Sequence, residues 1–101
     1  MYALTRTETR PSTNVQFFLQ TVDATVTAAL SEAMKANEVK SHVVYSPDGL
    51  SRAVTMTAPS KEDLDAFRNT EELQSYFDGR EAYNNDMGIV AEVVPSPENE
   101  E

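Results

Sequence analysis

The chain has 101 residues, 40% of them apolar and 25% charged, and a formal net charge of −9. That length supports one domain with a modest core, and the lack of cysteine excludes a disulfide, a thiol nucleophile or a Cys-ligated metal. No apolar run approaches the roughly 18 residues that cross a bilayer, and the opening MYALTRTETRP lacks a signal peptide's hydrophobic block, so a cytoplasmic protein with no membrane partner is expected.

Charge is unevenly placed. Residues 1–61 carry five acids and six bases, whereas residues 62–101 carry twelve acids and two bases, Arg68 and Arg80. Nucleic-acid binding depends on Lys and Arg neutralising phosphates, so no nucleic-acid partner is expected. An acidic half of this kind is either a solvated face or a docking surface for a basic protein.

In chain order, YALTRTET at Tyr2–Thr9 has strand propensity, and Pro11 ends it. Residues 15–34 place Val15, Phe18, Leu19, Val22, Val26, Ala29, Leu30 and Ala33 at helical spacing. The β-branched stretch TVDATVT weakens the first part, so residues 24–36 are the firm helix. Residues 15–19 are then an aromatic-anchored loop, and Asn37 is the stop.

Two β-rich runs, 39–45 and 50–57, flank Ser46-Pro47-Asp48-Gly49, a hairpin signal. Ser60 caps a helix whose first turn is read as holding Glu62, Asp63 and Asp65, with Leu64 and Phe67 facing inward. After a kink Asn69 or Thr70 re-caps the chain, and Asn69 with Glu72 approximates a capping box for a second helix. That helix carries Leu73, Tyr76, Phe77, Arg80 and Tyr83 on one stripe, runs to about Asn85 and ends at Gly88. A strand at 89–94 closes a single domain of residues 1–94, and 95–101 read as a disordered acidic tail.

The order strand, helix, strand, strand, helix, strand describes an α+β, ferredoxin-like βαββαβ sandwich, a four-stranded antiparallel sheet with its helices on one face. Period-2 alternation assigns Leu4, Val54, Met56, Ile89 and Val93 to the helix side. It leaves Ala3, Thr5, Thr7, Ala53, Thr55, Thr57, Val90 and Val94 on the bare side. RNA-binding sheets stack bases on aromatics in their first and third strands; SRAVTMTAPS has none.

No phosphate loop, metalloprotease motif or calcium loop occurs, and neither a metal nor another cofactor is expected. The acids Glu62, Asp63 and Asp65 read as dipole partners, and YNNDMG as a helix end. His42 has Ser41 beside it, but adjacent strand residues point to opposite faces, so no catalytic residue is assigned. Arg80 and Tyr83 share a helical face and, with His42 and Tyr45, form the candidate pocket or interface.

From SRAVTMTAPSKEDLDAF through YFDGREAYNNDMGIVAEVV the chain resembles the small dimeric α/β-barrel proteins, the antibiotic-biosynthesis-monooxygenase-like superfamily. The resemblance implies a dimer whose sheets face each other, sometimes around a ligand pocket. Cofactor-free monooxygenases of that group often rely on a tryptophan, which this chain lacks, and haem-binding members use a histidine, here only His42. The opening YALTRTETRPST is similar to those of small uncharacterised tailed-bacteriophage proteins, which implies a virion-associated or accessory role. The leading expectation is a non-enzymatic, self-associating structural or accessory protein, a homodimer or higher homo-oligomer, phage-encoded if the second likeness holds. The alternatives are a cofactor-independent monooxygenase-like enzyme or small-ligand binder, and an acidic docking or inhibitor module for a basic protein.

Overall fold

A computed structural model describes residues 1–95, apart from the side chain of Gln20. Its elements are β1 (Tyr2–Thr9), a 3-10 turn (Phe18–Thr21), α1 (Ala24–Ala36), β2 (Lys40–Tyr45), β3 (Ser51–Ala58), α2 (Lys61–Arg68), a second 3-10 turn (Glu71–Leu73), α3 (Gln74–Met87) and β4 (Val90–Pro95). The strands lie in the order β2-β3-β1-β4 and every neighbouring pair is antiparallel. All helices cover one face, as expected of a ferredoxin-like sandwich.

Local chemistry accounts for most boundaries. Of the β-branched stretch, Thr21 and Val22 stay out of the helix while Thr25, Val26 and Thr27 form its first turns, and Asp23 caps it by accepting from the Val26 amide at 3.0 Å. Helix α1 ends at Asn37, and Glu38 turns the chain in the left-handed region at φ 55°. In the hairpin, the Gly49 amide donates to the Ser46 carbonyl at 3.0 Å, and Asp48 Oδ1 accepts from the Ser46 hydroxyl and the Leu50 amide. Gly49, at φ 75°, re-enters the strand.

The start of α3 differs from expectation. Asn69 makes no capping box with Glu72; it is the C-cap of α2, its amide donating to the Asp65 carbonyl at 2.9 Å. The chain then crosses a 3-10 turn with no side-chain cap and enters α3 at Gln74, whose amide group donates to the Arg68 and Thr70 carbonyls at 3.1 and 2.8 Å. A glutamine spanning the break replaces the acid expected to reach back. Helix α3 then continues to Met87, two residues past Asn85, and Gly88 ends it at φ 74°.

The core joins Tyr2, Val39, Ala58, Leu64, Phe67 and Leu73, with Leu4, Leu30, Met34, Met56 and Phe77 packed around them. Helix α1 contributes only half-buried residues, so the deepest side chains of the cluster come from α2, with Leu64 and Phe67, and from Leu73 in the 3-10 turn. Past Pro95, the expected acidic tail lies outside the described residues.

Candidate functional site

On the helix-covered face, alternation along β1 presents Tyr2, Leu4, Arg6 and Glu8. Register sets Glu8 opposite Arg52 and Arg6 opposite Val54 on β3. Glu8 and Arg52 are buried. Glu8 Oε1 accepts from Arg52 Nε at 2.9 Å, and Oε2 accepts from Arg6 Nε at 3.0 Å. Asn84 on α3 donates to Oε2 at 3.4 Å, which leaves its own buried Oδ1 without a donor among the described residues. Burial by itself would push the Glu8 carboxyl up; Arg52 and then Arg6 outweigh it and hold the group below the ordinary carboxylate range.

Two further contacts tie this cluster to the helix layer. Arg6 Nη2 reaches Glu81 on α3 at 3.2 Å, and Arg80 Nε lies 3.4 Å from the same oxygen. Arg52 also lies over the ring of Phe17, 4.5 Å from its centre, and Arg10 lies 4.7 Å from it. Arg10 in turn donates to the Gly49 and Val15 carbonyls at 2.9 and 2.8 Å, fastening the loop after β1 to the hairpin.

A cavity of about 150 Å³ lies between sheet and helices beside this network. Arg6, Arg52, Arg68 and Arg80 line it with a single carboxylate among the described residues, Glu8; much of the remaining wall is apolar, with Leu4, Leu30, Met34, Met56 and Phe67 among it. A polar hollow of about 410 Å³ between α2 and α3 shares Arg68, Phe77 and Arg80 with it. Arg80 lies 5.2 Å from the Phe77 ring centre, and burial, followed by the charge of Arg6, lowers its pKa from the usual guanidinium value. Burial likewise raises the phenol of Tyr76, which lines the cavity as a neutral hydroxyl.

The structure does not bring the four sequence-nominated residues together. His42 pairs with Thr55 on the uncovered face, opposite the cavity. Tyr45, across from Arg52, packs against Phe17 with ring centres 6.3 Å apart. Tyr83 donates to the Gln16 carbonyl at 2.6 Å and stacks on Phe18 at 5.4 Å, holding the loop. Arg80 alone of the four lines the cavity. Arg6, Glu8 and Arg52 share the phase of Leu4 and Val54, so the alternation that sorted the apolar residues held their signal too. No cluster of metal-binding side chains occurs among the described residues, and none of their helices is long and apolar enough to cross a membrane.

No protein-family model matches the chain, nor does any curated protein. Among solved structures it is similar to a dimeric ferredoxin-like protein from an uncultured marine organism, with a TM-score of 0.64 and 13% identity over 100% of this chain and 97% of that one. What they share is the fold. Weaker likenesses are to a Mycobacterium tuberculosis protein (TM-score 0.46, 14% identity, 99% of this chain and 98% of that one) and to the de novo design Foldit4 (0.44, 14%, 98% and 100%).

Proposed function

We propose that the protein is a self-associating structural or accessory domain, a homodimer in which two copies meet through the uncovered faces of their sheets. The observation that carries this reading is the chemistry of that face. On the two central strands it presents Ala3, Thr5, Thr7, Thr9, Ser51, Ala53, Thr55 and Thr57. None is charged, in a chain where 25% of residues are. Its charges, Lys40 and Glu92, sit on the edge strands, where exposed Val44, Val90 and Val94 flank the centre.

An uncharged centre inside a mixed rim is the pattern of an interface, and small side chains let two sheets approach to about 10 Å. Bonding within the face also favours a dry contact. Thr5 and Thr55 pair through their hydroxyls at 3.0 Å, as do Thr9 and Ser51, so one hydroxyl proton of each pair is satisfied without water. The marine structure of the same fold is itself described as dimeric, which supports the reading.

Sedimentation equilibrium tests it. The expected mass is twice that of one chain, and Thr55→Arg, which sets a charge in the middle of the contact, is expected to yield a folded monomer. A wild-type protein that stays monomeric at high micromolar concentration overturns the proposal.

A further inference from the structure

Half of the molecule's cationic side chains converge on one cavity. Of eight Lys and Arg residues in a chain of net charge −9, Arg6, Arg52, Arg68 and Arg80 line it. The acids within reach among the described residues do not balance them. Glu8 is taken up by Arg6 and Arg52, and Glu81 is taken first by Arg6 at 3.2 Å. Arg80 is left with that same oxygen at 3.4 Å, and Arg68 has no ion pair among the described residues. Asp65, which lines the adjoining hollow, pairs with Lys61 at 3.1 Å.

Structural need explains Arg6 and Arg52, which neutralise Glu8. It does not explain Arg80, whose side chain is only 20% exposed and whose carboxylate contact among the described residues, Glu81 at 3.4 Å, is shared with Arg6. A guanidinium held there, beside the charge of Arg6, is a cation in surroundings that disfavour it. An incoming anion relieves that cost and gains charge-assisted hydrogen bonds.

The rest of the cavity sets the body that the anion must carry. Leu30 and Met34 of α1, Leu4 and Met56 of the sheet and Phe67 of α2 form an apolar wall. The volume, about 150 Å³, equals that of engineered apolar cavities that accept benzene. Arg68 and Arg80 belong both to this chamber and to the polar hollow beside it, so they mark the junction between an apolar interior and a wet entrance.

We infer that the cavity binds a small organic carboxylate with an apolar body about the size of one ring, its head at Arg80 and Arg68 and its body against Leu30, Met34, Met56 and Phe67. The site lies on the side of the sheet opposite the proposed dimer face, so its test is separate from that of self-association.

The experiment is a titration of isotope-labelled protein, followed by amide shifts, with benzoate, benzyl alcohol and inorganic phosphate in parallel. Benzoate is expected to saturate in the millimolar range or below and to shift amides of α1, α2 and β3. Benzyl alcohol, of the same shape without the charge, is expected to bind about tenfold more weakly, and phosphate, a head without a body, more weakly still. Arg80→Met retains the apolar stem and is expected to bring benzoate down to the level of the alcohol. Arg68→Met gives the same comparison should the first variant fail to fold, and the wild-type ratio of benzoate to alcohol stands without either. No saturable benzoate shift, equal binding of acid and alcohol, phosphate binding as tight as benzoate, or a folded Arg80→Met with unchanged benzoate affinity overturns the inference.

Discussion

A carboxylate under the helices of so small a domain loses several kcal/mol of hydration, and Glu8 is tolerated there because two guanidiniums reach it from its own strand and the next. Removing the charge while keeping the shape isolates that dependence. Glu8→Gln leaves Arg6 and Arg52 facing a neutral amide, and the expected loss is about 3 kcal/mol in urea unfolding. The pH dependence has a definite sign. The folded-state pKa of Glu8 is depressed below its ordinary value of 4.5, so its stabilisation is complete at neutral pH. It fades as pH falls below that value and is gone beneath the folded pKa. The gap between wild type and Glu8→Gln is therefore expected to stay constant down to about pH 5 and to narrow below it. A gap that widens in acid would contradict the assignment.

Among the elements, the loop between β1 and α1 is held by side chains rather than by a ladder. Phe18 packs at 5.4 Å against both Tyr76 and Tyr83 on α3, and Gly79 on the same helix makes the room: a Cβ there would come within 3.3 Å of the Phe18 ring. Gly79→Leu is expected to expel Phe18 and expose residues 12–22 to protease while the circular dichroism of the helices persists; a loop that stays protected would show another anchor suffices. Helix ends make an opposed pair of predictions. Gly88 sits at φ 74° and Glu38 at φ 55°. Gly88→Ala is expected to cost about 1 kcal/mol and Glu38→Gly to stabilise by several tenths to about 1 kcal/mol, both read from denaturant midpoints.

Across the whole molecule, charge is sorted by layer. Cations gather between sheet and helices, while many of the acids of α2 and α3 point to water. Two such molecules repel at long range even though the proposed contact surface is uncharged at its centre. Dimerisation is therefore expected to strengthen as salt rises from low to physiological concentration, because screening weakens the repulsion. Sedimentation at two ionic strengths reads this directly, and a dimer that dissociates with added salt would point to an ionic interface.

Element order, the Ser46–Gly49 turn, the Asp23-preceded helix and the partition of Leu4, Val54 and Met56 from Thr5, Ala53 and Thr55 could all be read along the chain. Each depends on periodicity, capping or turn chemistry within a few residues. The Asn69 capping box could not be judged that way, because Gln74 competes for the same break through carbonyls four and six residues back. Nor could the polar centre. Glu8 meets Arg52 across 44 positions and Asn84 across 76, and Tyr83 meets Gln16 across 67. Alternation put Arg6, Glu8 and Arg52 on the covered side, but which charges meet there depends on strand register and on where α3 crosses the sheet. Those are properties of packing between distant segments, and packing set four arginines around one cavity while sending His42 to the opposite face.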